Sequence, residues 1–289
     1  MNRIVSILII ANVKKKRVKS VLDKLQTALK DFGIKYSIIS PVYFRLKNNN
    51  LLTDIDIHFR YQKYDLIIAL GGDGTFLYSA RTFYPFGIPI LGINAGKLGF
   101  LMEVHPSAIK ESLEKVLKGR SEFKVLELLE IRAFRNGKLF CSLPFINDAV
   151  VSKGVLSRMV ELSLSIDEEK LSQYWSDGLI VSSPTGSTAY NLAAGGPILT
   201  PDMDAIIITP ICPHILGVRP IVTGNKREIN IRLISGEADT TLTVDGQENF
   251  CLKIGDLISI RKSNYNVKVY DLGERQFFNT LREKLGWHR

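Results

Sequence analysis

Asp73 stands among three glycines in Gly71-Gly72-Asp73-Gly74-Thr75, directly after the apolar run Leu66-Ile67-Ile68-Ala69-Leu70. Glycines at the end of a buried strand let φ turn positive and let bare N–H groups approach a ligand, which suits phosphate oxygens. Residues 76–81 read as the first turns of a helix, whose N-terminus adds partial positive charge. A carboxylate in that cradle repels phosphate unless it faces a hydroxyl or a metal ion. The loop therefore points to phosphoryl transfer more than to passive anion binding. A tight turn capped by Asp73 is the competing structural reading.

Three further constellations bear on the choice. Asn94-Ala95-Gly96-Lys97-Leu98-Gly99-Phe100-Leu101 follows another strand-like segment and places a second loop on the same sheet edge. Asn147-Asp148 offers an amide beside a carboxylate, a pair able to hold the vicinal hydroxyls of a ribose, although such a pair alone is a turn signal. Residues 177–197 hold hydroxyls, glycines and small side chains at a density that does not suit a packing face. Ser187-Thr188-Ala189 reads as a helix start with donors free for a nucleotide, and Tyr190 as a ring or hydroxyl for a base or sugar. An irregular loop of capping residues accounts for any short piece of this stretch, but not for all of it.

The elements that position these residues follow from periodicity. The 289 residues are enough for two domains and a sizeable core, and 45% hydrophobic with 23% charged residues is ordinary for a globular protein. In the first third, residues 4–10 form a strand pattern, Val18, Val21, Leu22, Leu25, Leu29 and Phe32 recur at helical spacing, and residues 36–39 return to a strand. Residues 64–70 and 88–93 add strands, and 107–117 a helix, giving a doubly wound α/β sheet with ligands at its strand C-termini. From about 122 the chain breaks into short strands separated by turns (125–134, 139–145, 160–166, 206–208, 228–233, 240–244, 257–260 and 266–269), the mark of a β-rich domain. Phe277, Leu281, Leu285 and Trp287 then recur at helical spacing in a tail expected to dock on the first domain. The fold class is thus α/β plus β, with an α/β domain over 1–121 plus the tail 273–289, and a β-rich domain over 122–272.

A formal charge of +9 favours anionic partners, but Lys and Arg are scattered without aromatic interleaving, which speaks for a solvated surface and against nucleic acid. The densest run, Lys14-Lys15-Lys16-Arg17, reads as solvated before it reads as a hold on a polyphosphate. The apolar stretch 4–13 ends in that basic cluster with no small-residue cleavage site, so it reads as a first strand and not a signal peptide. No segment approaches the roughly 20 apolar residues of a membrane span. Cys141, Cys212 and Cys251 are odd in number and widely spaced, which fits a reducing cytoplasm better than a disulfide framework or a thiolate metal site. His58, His105, His214 and His288 show no metal-ligand spacing, and His214 reads as structural before it reads as a dinucleotide contact.

Taken together, Gly-Gly-Asp-Gly-Thr, residues 92–101, Asn147-Asp148, Asp177-Gly178-Leu179-Ile180, Pro184-Thr185-Gly186-Ser187-Thr188-Ala189-Tyr190 and Asp245-Gly246-Gln247 resemble the NAD kinase family in order and spacing, over nearly the whole chain. The first motif alone is also found in lipid kinases; the long one is specific. The resemblance implies transfer of the γ-phosphoryl group of ATP to the 2′-hydroxyl of the adenosine ribose of NAD, with Mg²⁺ or another divalent metal carried by the nucleotide and no metal held by side chains. It implies Asp73 as the group that orients the hydroxyl and takes its proton late, with Gly74 beside it. Asn147 and Asp148 would hold ribose hydroxyls, and Asp177 would lie near the nicotinamide end. Thr185, Thr188, Ala189 and Tyr190 would surround the adenosine, while Arg158 and Gln247 would add dinucleotide contacts. Gly71, Gly72, Gly74 and Thr75 form the implied phosphate loop.

The resemblance further implies homo-oligomers, dimers or tetramers, whose neighbours complete the NAD site. Trp175 departs from the family pattern at a position that is often basic, and Ile215 and Gly217 replace small hydroxyl residues. Two alternatives stay open at this point: a lipid kinase using the same glycine loop, and a non-catalytic sensor of NAD or NADP.

Overall fold

In the computed structural model, β1 (Ser6–Ala11) is buried along nearly its whole length, and α1 (Lys16–Asp31) follows it, burying Val18, Val21, Leu22, Leu25, Ala28 and Leu29 on one face. The structure describes residues 4–41, 64–96, 99–154, 158–273 and 276–287. Lys97 and Leu98 of the second loop, and His58 and His288, lie outside these. The described residues divide into two compact units, one formed from those up to Leu126 together with those from Tyr265 on, the other from Glu127–Asn264.

In the first unit, β2 (Lys35–Ile39) and β3 (Leu66–Gly71) lie parallel on either side of β1, and β4 (Ile90–Asn94) lies parallel beyond β3. The order β2-β1-β3-β4 reverses the winding between β1 and β3. In open parallel sheets the carboxyl ends of the strands at such a switch are where ligands bind. Gly71, at the end of β3, is therefore placed by topology as well as by composition. Ile7, Ile9, Leu66, Ile68 and Leu70 share one core with α1 and with Ile109, Leu113 and Val116 of α3 (Ile109–Leu117). Between them in sequence, α2 (Asp73–Phe83) buries Phe76, Leu77, Tyr78, Ala80 and Phe83.

The second unit is made of strands. β5 (Glu122–Arg135) enters it and pairs with β6 (Lys138–Phe145). One sheet runs β12-β11-β10-β7-β14-β15, built from β7 (Asp148–Ser152), β10 (Gly178–Ser182), β11 (Ala205–Ile211), β12 (Ile221–Gly224), β14 (Thr241–Val244) and β15 (Glu248–Cys251). The other sheet brings together β8 (Val160–Ile166), β9 (Glu169–Ser176), β13 (Ile229–Ser235) and the first part of β16 (Leu257–Asp271). Alternate residues of both sheets, among them Leu162, Leu164, Ile231 and Ile260 from one and Val151, Leu179, Ile208 and Leu242 from the other, meet in a single core.

Strands β7, β9, β10, β12 and β15 lie outside the strand segments expected from the sequence. β9 is polar because it pairs on one side only, with β8, and exposes much of its length, whereas β10 is buried at every position. β16 is continuous where periodicity suggested two strands, its exposed residues falling between them.

Its last residues return to the first unit beside β4, with Val269 opposite Ile90. Helix α5 (Phe277–Leu285) follows, closed by Gly286 at φ 67°. There the Phe277 ring lies 5.9 Å from that of Phe100, and Lys284 Nζ stands 4.6 Å over the Phe100 ring. The tail docks as expected through Leu281, but Trp287, beyond the end of the helix, remains 59% exposed. No helix among the described residues is long and apolar enough to cross a membrane.

Candidate active site

Asp73 is the first residue of α2, three residues earlier than the apolar pattern suggests, with Gly72 as N-cap in an extended conformation (φ −125°, ψ −176°). Gly71, Gly72 and Gly74 are absent from the positive-φ residues, so the expectation that they turn left-handed does not hold. The helix begins at once and needs no such turn. Gly71 is required for close approach instead: a Cβ there would strike the Thr75 hydroxyl. Gly71 also passes its carbonyl to the Ala95 N–H at 2.7 Å, which joins the two loops at the sheet edge.

The Asp73 carboxylate is held from the second loop. Its Oδ2 accepts from the Phe100 N–H at 3.0 Å and its Oδ1 from the Leu101 N–H at 3.1 Å. A negative group in the first turn of a helix is also favoured by the helix dipole. Phe100 is itself pinned by Phe277 and Lys284 of α5, so the C-terminal helix steadies the loop that steadies Asp73. In the same loop the Asn94 side chain accepts from the Gly96 N–H at 2.9 Å and is spent on its own turn.

In the second unit the register of one sheet gathers the remaining residues. Asp148 of β7 lies opposite Ser182 of β10, and Ala149 opposite Val244 of β14. The start of β7 and the ends of β10 and β14 therefore meet at one edge, where a cavity of about 300 Å³ has Asn147, Asp148, Ala189, Tyr190, Asp245 and Gly246 among its walls. Asp148 is 5% exposed and Asp245 7%. Burial, then the charge of Asp245, push the Asp148 carboxyl up to about 7, against a backbone hydrogen bond from Tyr190 that lowers it. A carboxyl poised there accepts from a diol when ionised and donates to it when neutral.

The hydroxyl-rich stretch 177–197 turns out to be largely internal, contrary to its expected role as a bank of free donors. Ser182, Ser183, Ser187 and Asn191 are all buried. Ser183 Oγ donates to the Ile146 carbonyl and accepts from the Gly186 N–H, and Ser187 Oγ exchanges hydrogen bonds with the backbone of Leu199. Asn191 bridges Ser187, Pro197 and Thr209. Buried polar groups at this density are tolerated because each has a partner. Gly186 lies so close to Asn147 that a Cβ would overlap its carbonyl. These residues form the mould that shapes the Asn147–Asp148 turn and leaves the other members of the motif outward. Thr185 and Thr188 are half-buried in a 3₁₀ turn (Thr185–Thr188), and Tyr190 opens the short helix α4 (Tyr190–Ala193) with 47% of its surface exposed.

Of the dinucleotide contacts expected in the second unit, Arg158, Asp177, Thr185, Thr188 and Gln247 are not walls of the cavity. Asp177 lies just before β10 in an ion pair with Lys153 (3.1 Å), Arg158 is exposed, and the Gln247 N–H donates to the Val244 carbonyl at 3.0 Å. The exposed His214 donates its backbone N–H to the Trp175 carbonyl at 2.9 Å.

Residues 7–121 match the model of the ATP-NAD kinase N-terminal domain and residues 146–272 that of the ATP-NAD kinase C-terminal domain. The chain belongs to the NAD kinase family. Among its relatives, the NAD kinase of Carboxydothermus hydrogenoformans is 39% identical over 95% of this chain and 97% of its own. That of Aquifex aeolicus is 35% identical over 94% and 96%. Among solved structures, yeast NADH kinase complexed with NADH superposes with a TM-score of 0.86 at 26% identity, covering 100% of this chain and 89% of that one. An Archaeoglobus fulgidus NAD kinase in complex with ATP shares the fold, with a TM-score of 0.71 at 24% identity over 96% and 98%. As a member of this family, the chain is a phosphotransferase that phosphorylates NAD at the expense of ATP.

Two features of the site went unnoticed in the sequence. The amides of Phe100 and Leu101 that hold Asp73 are backbone groups and leave no side-chain signature. Asp245 enters the sequence reading only within the motif Asp245-Gly246-Gln247, where Gln247 alone is given a role. Gly99 does carry a signal: a Cβ at that position would overlap the Asp73 carboxylate. Gly99→Ala is expected to displace the carboxylate from its two amides and lower kcat about 10²-fold, with a smaller change in the KM for NAD. Steady-state NADP formation reads both; an unchanged kcat would show that the clamp on Asp73 is dispensable.

Proposed function

We propose that Asp73 aligns the 2′-hydroxyl of the adenosine ribose of NAD for attack on the γ-phosphorus of ATP, and that Asn147 and Asp148 hold the ribose hydroxyls. The carrying observation is the Asp73 carboxylate fixed by the Phe100 and Leu101 amides at the C-terminal edge of the parallel sheet. An ionised carboxylate offers about four acceptor positions, and two amides leave the others for a hydroxyl.

Phosphoryl transfer passes through a loose transition state in which orientation matters more than early proton removal. The O2′–Pγ bond forms as the bond from Pγ to the bridging oxygen breaks. ADP departs with the electron pair, and the hydroxyl proton passes late to Asp73 and from there to solvent. Gly71, Gly72, Gly74 and Thr75 are assigned to the phosphates, supported by the N-terminus of α2. Thr185, Thr188, Ala189 and Tyr190 are assigned to the adenosine, and Asp177, Arg158 and Gln247 to the rest of the dinucleotide.

Among the described residues no group of three or more His, Cys, Asp or Glu side chains could hold a metal ion. The divalent cation, Mg²⁺ by preference, is assigned to the triphosphate as part of the substrate. A cytoplasmic location accords with the thiols of Cys212 and Cys251, exposed and free, and a dimer or tetramer completes the assignment. Purified protein incubated with NAD, ATP and Mg²⁺ should form NADP, measured with an NADP-specific dehydrogenase. No product across a range of phosphate donors would defeat the reading.

A further inference from the structure

Asp245 combines three features that are costly together. It is buried, it carries a carboxylate next to another carboxylate, and its backbone sits at φ 49°, a region that residues other than glycine seldom adopt. With Gly246 at φ 64° it turns the chain between β14 and β15. That turn would be served as well by Asn or Gly, so the acid needs another explanation.

Its contacts supply one. Oδ1 accepts from the Asn147 N–H at 2.7 Å, the Ile146 N–H at 3.2 Å and the Asp148 N–H at 3.3 Å, while Oδ2 shares the Ile146 N–H at 3.1 Å. The Asp245 N–H returns a bond to the Asp148 carbonyl at 2.8 Å. Three successive amides thus converge on one carboxylate from a strand distant in sequence. Their convergence sets the direction in which Asn147 and Asp148 leave the turn.

We propose that Asp245 is a positioning residue for the dinucleotide site: its carboxylate gathers the backbone of Ile146, Asn147 and Asp148 into the geometry that presents Asn147 and Asp148 to the ribose. Its buried charge beside Asp148 also makes that grip depend on pH near neutrality. The proposal rests on the NAD kinase reading of the site and adds its regulation.

Among the described residues, Asp148 meets Asp245 from the turn after β14 and the Tyr190 N–H from α4, with Ser182 of β10 opposite it in the sheet. Of these the charged one is Asp245. Ser182 directs its hydroxyl to the Asn147 and Ser183 carbonyls. As pH falls through neutrality Asp148 takes up a proton and ceases to be a charged acceptor for the ribose. The KM for NAD should therefore rise on the acid side in the wild type.

Two variants separate the parts of the proposal. Asp245→Asn keeps Oδ1, which takes all three amides, replaces Oδ2, which shares one of them, by an NH₂, and removes the charge. Its KM for NAD at pH 8 should stay within about threefold of wild type, and the acid-side break in log KM should move down by about one pH unit. Asp245→Ala removes the acceptor and should raise the KM at least about tenfold with a smaller effect on kcat. A break that coincides with wild type would overturn the role of the charge, and an unchanged KM in the Asp245→Ala protein would overturn the positioning.

Thermal melts of the ligand-free proteins keep the test independent of turnover and of the Ala variant's folding. The Tm difference between Asp245→Asn and wild type should grow in the variant's favour between pH 6 and 8, where Asp148 ionises beside Asp245 in the wild type. A flat difference would also refute the role of the charge. Wild-type protein that forms no NADP would defeat the assigned reaction, while the melts would still decide whether Asp245 acts on Asp148.

Discussion

The Asp73→Asn protein is expected to bind NAD within a few-fold of the wild type and to turn it over about 10²–10⁴-fold more slowly. The wild-type carboxylate spends one oxygen on the Phe100 amide and the other on the Leu101 amide. An asparagine keeps one acceptor but sets its NH₂ against the second amide. It also loses the charge that aligns a hydroxyl and the capacity to take the late proton. In addition, α2 loses a negative group from its first turn, worth about 0.3–1 kcal/mol, so a modest drop in Tm should accompany the effect without explaining it. Steady-state kinetics paired with NAD binding by calorimetry separates the two quantities. Near-normal kcat would remove Asp73 from the reaction.

Asp148→Asn should move stability and function in opposite directions. The folded protein raises the Asp148 carboxyl from 3.8 to about 7, mainly by burial and then by the charge of Asp245. A carboxyl whose folded value lies above its unfolded value contributes its full stability below the unfolded value. It loses that contribution as pH climbs through the folded one. The wild type therefore gives up stability between about pH 4 and 7, and above that range it holds the ionised Asp148 buried beside the charge of Asp245.

The asparagine has no charge to bury and keeps an acceptor for the Tyr190 N–H. Its Tm should match the wild type near pH 4 and exceed it at pH 8, by an amount reflecting up to a few kcal/mol. At the same time the KM for NAD at pH 8 should rise about 10–100-fold, the worth of a charge-assisted hydrogen bond to the ribose. Melts in the absence of ligand and a KM titration at pH 8 check the pair. A variant less stable than wild type at pH 8 would mean that Asp148 is held by a favourable partner instead of strained against Asp245.

Both predictions concern carboxylates, and they differ in how much of their setting could be read in advance. Asp73 is marked by its company: a buried strand, three glycines and a helix are local, and each has a side-chain or periodic signature. The pairing of β3 with β1 and β4, and with it the placing of Gly71 at a switch point, follows from alternating strands and helices. The resemblance of the motifs to the NAD kinase family carried the reaction and the substrate. Composition misled in the stretch 177–197, where Ser and Asn read as a binding surface. In the fold they satisfy one another under the surface, because hydroxyls serve a packed turn as readily as a ligand. The glycines of the first loop suggest a positive φ that none of them adopts, and among them it is Gly71 that is needed for steric clearance.

The sequence alone thus determined the α/β and β-rich halves, the loop that bears Asp73 and the paired side chains at Asn147 and Asp148, since these depend on periodicity and on residues adjacent in the chain. Tertiary structure alone decided what holds those residues. The amides on Asp73 come from 27 and 28 positions away, and the carboxylate on Asn147 and Asp148 from 98 and 97. Backbone N–H groups are the same at every residue but proline, so which of them converge on a carboxylate is a fact of strand register that no local pattern of side chains encodes.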